Sequence, residues 1–234
     1  MDENEKRLQK ERRIYLLKLM TSAAGDEVDL DTYDFHRVYV IFGFTGSGKD
    51  AVTQGFLDRN KKYPFNKFVR TLTRSKRPGE NEILSAYFVE KELFDHLKER
   101  GRFFYHYEKY DGNEFGYDSS HLIFLLANSN VIMIGGNEQN LPGLVKGIKS
   151  VFNNIPVTTV FINRPKEDIQ NSIRKRGGDP TQIEKRVRYV EENWQDRPLD
   201  TFDYFIWAEN LEEGIDEFTR IVEETQGVSP TQNA

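Results

Sequence analysis

The stretch Val38–Asp50 reads VYVIFGFTGSGKD, and it decides the fold of this 234-residue chain. Its first part, Val38–Phe42, is a short apolar run of the kind that forms a buried parallel strand. The second part, Gly43–Asp50, has the spacing G-x-x-x-x-G-K. Glycines permit positive φ and let successive backbone N–H groups surround phosphate oxygens, while the following helix adds its positive N-terminus. The stretch therefore predicts a phosphate-binding loop between a strand and a helix.

The residues of this loop have expected roles in binding ATP. Lys49 is expected to reach the β- and γ-phosphates as a point charge and to act in catalysis. Asp50 stands where such loops normally have Ser or Thr, whose hydroxyl binds Mg²⁺. A carboxylate is a stronger oxygen ligand, but without metal it repels phosphate. A metal-binding role for Asp50 and a loss of metal-dependent chemistry both stay open. The predicted ATP-binding residues are Gly43, Thr45, Gly46, Ser47, Gly48, Lys49 and Asp50.

The rest of the chain predicts an α/β fold with a parallel sheet flanked by helices, because strand-like and helical segments alternate. The strand-like runs are Val38–Phe42, Lys67–Leu72, Val131–Ile134, Val157–Ile162 and Tyr204–Trp207. The helical segments lie near 50–60, 119–128, 141–153, 165–176, 181–195 and 211–225. Between them, the aromatic stretch 83–117 has short runs at Tyr87–Val89 and Phe103–Tyr107 and a helix near 90–100, which predicts a small α+β subdomain.

Composition and charge exclude several classes of protein. The chain has no cysteine, which excludes disulfides, thiolate zinc sites and cysteine nucleophiles. Its net charge of −5 argues against a nucleic-acid binder, and no apolar run approaches the roughly 20 residues that span a bilayer. A cytoplasmic location is expected.

Residues 4–20 predict a charged helix that either packs on the domain, mediates a homodimer or is a solvated extension. Residues 226–234 predict a disordered tail.

Thr73–Glu80 reads TRSKRPGE and forms a second candidate site. Arg74 and Arg77 lie three residues apart in a turn-rich segment directly after a predicted strand. Guanidinium groups bind phosphate oxygens bidentately, so this pair is a ready clamp for a phosphorylated acceptor.

These motifs together resemble the guanylate kinase family, whose acceptor site has the pattern T-R-x-x-R-x-G-E. Further similar segments follow in the same order along residues 36–225: Phe88-Val89, Glu92–Phe94, Gly101–Phe103, Gly112–Gly116, Arg174–Asp179 with Arg186 beyond, and Phe202–Tyr204.

The resemblance implies a P-loop kinase fold over 36–225, preceded by the extension 1–35, with an inserted acceptor-binding subdomain at about 73–117 and a basic lid at about 174–190. It implies that Arg74 and Arg77, with Glu80, bind the acceptor's phosphate. Arg176 and Arg186 would close over the transferring phosphoryl group, although ordinary helix-surface charge is the alternative for both. ATP and Mg²⁺ would be the cofactors, and GMP or dGMP the nucleotide substrate.

The sequence departs from the family where the acceptor's base is read. The family's phosphate-binding Tyr is Ala86 here, and its guanine-reading Glu is Tyr105. Phe115 and Tyr117 replace a Tyr and a small hydroxyl residue, and the acidic pair after the next strand is absent around Ile134–Gly136. A phenol cannot accept the paired N–H donors of guanine as a carboxylate does. Glu108, with Glu114, is the expected substitute; Tyr105, Phe115 and Tyr117 either line the acceptor pocket or only pack the subdomain.

Three functions stay open. The first is a nucleoside monophosphate kinase, favoured by Lys49 and the arginine clamp. The second is a kinase of the same fold for another phosphorylated acceptor, such as a ribose bisphosphate or a modified nucleotide, favoured by the changes at Ala86 and Tyr105. The third is a non-catalytic binding module, which the retained Lys49 disfavours.

Overall fold

The computed structural model describes residues 36–76, 80, 85–109, 112–136, 138–151, 155–175, 177, 179–195 and 201–227. The predicted N-terminal helix, with the homodimer proposed for it, lies outside the described residues, as do Arg77, Arg176 and the tail from 228. Within the described part of the chain, none of the helices has the length and apolar character that crossing a membrane requires.

The strands are β1 (Val38–Phe42), β2 (Phe65–Lys67), β3 (Thr71–Leu72), β4 (Tyr87–Phe88), β5 (Phe103–Glu108), β6 (Glu114–Asp118), β7 (Asn130–Gly136), β8 (Val157–Asn163) and β9 (Tyr204–Trp207). The α-helices are α1 (Lys49–Arg59), α2 (Lys91–Glu99), α3 (Ser119–Leu126), α4 (Leu141–Val151), α5 (Lys166–Lys175), α6 (Pro180–Asn193) and α7 (Leu211–Gly227). A single turn of 3₁₀-helix covers Glu138–Asn140.

The larger sheet has the order β2–β7–β1–β8–β9, and β8 pairs in parallel with both β1 and β9. All five residues of β1 are fully buried, as its continuous apolar run predicted. On one face of the sheet, α1 and α7 meet through Phe56 and Phe218, whose ring centroids lie 4.9 Å apart. The predicted α/β class is confirmed, and the central position of β1 places the glycine-rich loop that follows it at the end of a fully buried strand.

The smaller sheet has the order β4–β3–β6–β5. Strand β6 runs antiparallel to both β3 and β5, whereas β3 and β4 are parallel. Helix α2 packs on this sheet through Phe94, whose ring lies 4.8 Å from that of Phe103. The chain divides into two compact units. The first contains the residues up to Arg37, Phe68–Val131 and Gly143–Pro156, and the second contains Val38–Lys67, Ile132–Pro142 and Val157–Ala234.

The predicted strand Lys67–Leu72 is not one strand. Its start belongs to β2 in the larger sheet, and its end is β3 in the smaller sheet. Between them, Phe68 is buried and stacks on Tyr117 and His121. The β-propensity of the run is continuous, but propensity does not specify which strands become its neighbours.

Candidate active site

The loop after β1 has the backbone conformation that its glycines predicted. Gly46 and Gly48 have φ values of 93° and 89°, in the left-handed region. A Cβ on Gly43 would lie 2.4 Å from the carbonyl oxygen of Ile162, so only glycine fits there. The Ser47 N–H donates to the Phe44 carbonyl at 3.0 Å and closes the turn directly before α1. This shape leaves the start of α1 and the loop amides available to an anion.

Lys49 and Asp50 begin α1 in contrasting surroundings. Lys49 is buried, and its Nζ donates to the Phe44 carbonyl oxygen at 3.1 Å, which holds the ammonium against the loop. The Asp50 side chain is 61% exposed, and its Oδ1 lies 3.6 Å from Nζ of Lys67. The buried cation and the exposed carboxylate are thus the two charged side chains at the N-terminus of α1.

In the predicted lid segment one helix ends and the next begins, as expected. Helix α5 ends at Lys175, Gly177 has a φ of 70°, and α6 begins at Pro180. The Asp179 side chain caps α6 by accepting hydrogen bonds from the first backbone N–H groups of that helix. Arg186 lies on α6 and is half-buried. Its role as a lid residue stays a prediction.

Arg74, in the predicted clamp, is held in one orientation. Its guanidinium makes a two-pronged ion pair with Glu80, with Nη1 donating to Oε2 at 2.7 Å and Nη2 to Oε1. The guanidinium also donates to the Ser75 carbonyl and lies 5.2 Å from the centroid of the Phe88 ring. Only 14% of the Arg74 side chain is exposed. Glu80 therefore orients Arg74 in this structure, and its contact with substrate stays a prediction.

Four aromatic side chains share one face of the smaller sheet. Tyr105 is paired with Tyr117, and Tyr107 with Phe115, whose rings stack with centroids 5.0 Å apart. Tyr117 is fully buried and Phe115 is 4% exposed. Tyr105 packs on α4, where a Cβ on Gly143 would lie 2.7 Å from Tyr105 Cε2. The structure thus brings Tyr105, Phe115 and Tyr117 together, with Tyr107, in what we call the aromatic layer.

The carboxylates expected to replace the guanine-reading Glu do not reach the aromatic layer. Side chains alternate along a strand, so Glu108, next to Tyr107, and Glu114, opposite Glu108, lie on the other face. Glu114 binds Lys91 at 2.9 Å and Lys98 at 3.4 Å. Burial opposes ionisation of Glu114, but these two lysines outweigh it and lower the pKa of the carboxyl below its usual value. Glu114 is a structural anion, and neither carboxylate stands beside Tyr105.

The phenols of the aromatic layer do not supply the missing negative charge. Burial raises the pKa of Tyr105 to about 12 and also raises the pKa values of Tyr107 and Tyr117. A phenol with a raised pKa stays neutral at physiological pH and cannot act as a carboxylate does. Among the described residues, the side chains of β5 and β6 on the face predicted to read the base are therefore aromatic and neutral.

The guanylate kinase family model matches residues 35–225 of this chain. The chain belongs to the guanylate kinase family. It is 28% identical to the guanylate kinase of Thermus thermophilus over 190 residues, which cover 80% of each chain. It is 29% identical to that of Thermotoga maritima over 188 residues, covering 80% of this chain and 86% of the relative. The crystal structure of guanylate kinase from Anaplasma phagocytophilum is 21% identical, with a TM-score of 0.59 over 84% of this chain and 89% of that one, and shows the same fold.

Two cations near the aromatic layer, Arg70 and Lys109, were not predicted from the sequence. The Arg70 guanidinium carbon lies 5.4 Å, and Lys109 Nζ lies 4.8 Å, from the centroid of the Phe115 ring. The signal for Arg70 was present in the sequence, since Arg70, Leu72 and Arg74 alternate as residues on one face of an extended segment do. No comparable signal marks Lys109, because it follows a strand end in a polar turn.

Proposed function

We propose that this guanylate kinase family member transfers the γ-phosphoryl group of ATP to the phosphate of a nucleoside monophosphate. Membership of the family supports ATP-dependent nucleoside monophosphate kinase activity. GMP or dGMP is the first proposed acceptor, because the relatives from T. thermophilus and T. maritima are guanylate kinases. The observation that carries the proposal is the intact phosphate-binding loop, with left-handed Gly46 and Gly48 and buried Lys49.

The reaction requires positioning and charge stabilisation rather than covalent catalysis. An acceptor phosphate oxygen forms a bond to the γ-phosphorus, and the bond between that phosphorus and the β–γ bridging oxygen breaks as ADP leaves. Lys49 and the loop N–H groups stabilise the charge on the β- and γ-phosphates. Arg74 binds the acceptor phosphate, with Arg77 as its proposed second half. Arg176 and Arg186 are proposed to neutralise charge on the transferring group.

The exposed carboxylate of Asp50 fits a role in holding Mg²⁺ with the nucleotide. Mg²⁺ prefers oxygen ligands and usually keeps several waters, so one protein carboxylate is enough beside phosphate oxygens. Among the described residues, no group of three or more His, Asp or Glu side chains forms a separate metal site. Mg²⁺ at Asp50 would offset the repulsion between this carboxylate and ATP.

Changing Asp50 is expected to alter the metal requirement rather than the fold. For Asp50→Asn, the affinity for ATP in EDTA should rise, because the repulsive charge is gone, while the affinity gain on adding Mg²⁺ should shrink about tenfold or more. Isothermal titration with and without Mg²⁺ measures both values. Asp58→Asn, at the other end of α1, is the matched control. An unchanged Mg²⁺ dependence in Asp50→Asn would contradict the metal role.

The proposed function is tested by measuring ADP release from ATP and Mg²⁺ with a panel of nucleoside monophosphates. Turnover with at least one nucleotide supports it, and GMP or dGMP as the best acceptor supports the finer assignment. ATP binding without transfer to any acceptor would instead favour a non-catalytic binding module. The packed aromatic layer, beside which neither Glu108 nor Glu114 lies, favours a second candidate, a kinase of the same fold acting on another phosphorylated acceptor. Ribose bisphosphates therefore belong in the panel.

A further inference from the structure

Two cations lie close to the Phe115 ring in the aromatic layer. The Arg70 guanidinium carbon is 5.4 Å and Lys109 Nζ is 4.8 Å from the centroid of this ring. Tyr107 stacks on the same ring with an interplanar angle of 8°. With 4% of Phe115 exposed, little of the ring is left for a purine to stack on. Its surroundings are suited to polar or anionic ligand groups that reach the two cations.

Arg70 and Arg74 lie on the same side of the smaller sheet. Leu72, between them in sequence, is paired with both Phe88 and Phe115. Arg74 lies over the Phe88 ring and Arg70 over the Phe115 ring. Glu80 pairs with Arg74, and Arg70 and Lys109 are two further basic side chains on this side. Arg70 also lies close enough to Tyr107 and Tyr117 for its charge to oppose the rise of their pKa values.

The carboxylates of β5 and β6 do not belong to this surface. Glu108, Glu114 and Asp118 lie on the opposite face of their strands, where Asp118 pairs with Arg102 at 2.9 Å. Guanidinium and ammonium groups only donate hydrogen bonds. Placed against the N–H donors of the Watson–Crick edge of guanine, they would leave buried donors unpaired, which is costly. The same groups suit carbonyl oxygens, ring nitrogens or a phosphate.

We propose that Arg70 and Lys109 bind the end of the acceptor that is remote from its reacting phosphate, and that this end presents hydrogen-bond acceptors or negative charge. The proposal rests on the proposed phosphotransferase function and specifies its acceptor. Two sources have the required chemistry: a base edge with adjacent acceptors, such as N3 and O2 of cytosine or N7 and O6 of guanine, and a second phosphate. Arg70 and Lys109 are specificity-determining residues in this proposal, and Arg74 remains the residue for the reacting phosphate.

The experiment compares matched acceptors in wild type, Arg70→Ala, Arg70→Lys and Lys109→Ala. CMP against GMP tests the base edge, and ribose 1,5-bisphosphate against ribose 5-phosphate tests the second phosphate. Dissociation constants from titration calorimetry and kcat/KM from ADP release are both measured. Arg70→Ala should weaken the acceptor that wild type binds best about 10- to 100-fold, and the two comparisons show whether a base edge or a second phosphate is the group that it binds. Arg70→Lys should recover part of the loss, and the KM for ATP should not change.

Arg100→Ala is the control, because Arg100 is an exposed arginine at the end of α2; thermal melts confirm folding of each variant. The proposal is overturned if GMP is the best ligand and Arg70→Ala and Lys109→Ala leave its affinity unchanged, or if no probe binds wild type. Failure of the proposed function is a separate result: no ADP release with any acceptor. The calorimetric comparison still decides the role of Arg70 in that case.

Discussion

Lys49→Ala is expected to lower ADP release by about 100- to 1,000-fold, the range seen when one preorganised charge-stabilising donor is removed. Lys49 is the buried cation of the loop, and its Nζ is held at 3.1 Å from the Phe44 carbonyl oxygen. An ammonium placed in this way needs little reorganisation to stabilise the developing charge on the β- and γ-phosphates. The loss should appear mainly in kcat, because the loop N–H groups still bind the nucleotide.

The design must separate catalysis from folding, because Lys49 is buried. Lys49→Met retains most of the apolar stem and removes the ammonium group, so it should lose activity like Lys49→Ala while melting closer to wild type. Lys61→Ala, an exposed lysine shortly after α1, serves as the matched control. Undiminished turnover in Lys49→Met would exclude this loop from phosphoryl transfer and remove the main support for the proposed function.

Arg74→Ala is expected to raise the acceptor KM about 10- to 100-fold or more while leaving the KM for ATP unchanged. The physical reason is the loss of a charged, two-pronged donor that Glu80 and Phe88 hold in place. Steady-state kinetics with the acceptor and ATP varied in turn measure the two constants separately.

Glu80→Gln provides an internal check on this explanation. It removes the charge that orients Arg74 and keeps the side-chain size, so a smaller increase in the acceptor KM is expected. Lys76→Ala, an exposed cation two residues after Arg74, is the control for general loss of positive charge. If Arg74→Ala changed the KM for ATP and not that for the acceptor, Arg74 would belong to the donor nucleotide rather than to the acceptor phosphate.

The departures from the family pattern matter more when they are considered together. At the proposed acceptor site, Tyr105 and Tyr117 stand where the family resemblance implies polar readers, and Tyr107 stacks on Phe115. With these rings in place of a carboxylate, and with Arg70 and Lys109 near Phe115, the proposed site would differ from that of the family in both shape and charge. Family membership therefore supports the chemistry of phosphoryl transfer more strongly than it supports guanine as the recognised base.

Much of the fold was predictable because it depends on local chemistry. The glycines of the loop require particular φ values, and the apolar run Val38–Phe42 has no stable place except inside a sheet. The break between α5 and α6 has the same local origin, because Gly177 adopts a positive φ and Asp179 caps the start of α6. These features depend on residues close together in the chain, so spacing and residue type were sufficient.

The composition of the proposed acceptor surface was not predictable, because it depends on which strands pair. Lys67–Leu72 is one run in sequence, yet its two ends join different sheets. Tyr107 and Glu108 are neighbours in β5, where successive side chains point to opposite faces. The Tyr107 ring therefore lies in the aromatic layer and the Glu108 carboxylate on the opposite face. The glycine-rich loop after β1 and the α/β class follow from residues that are close together in the chain. The positions of Arg70 and Lys109 beside Phe115, where Glu108 was expected, become visible only in the folded protein, because the partners of a strand are distant in the chain.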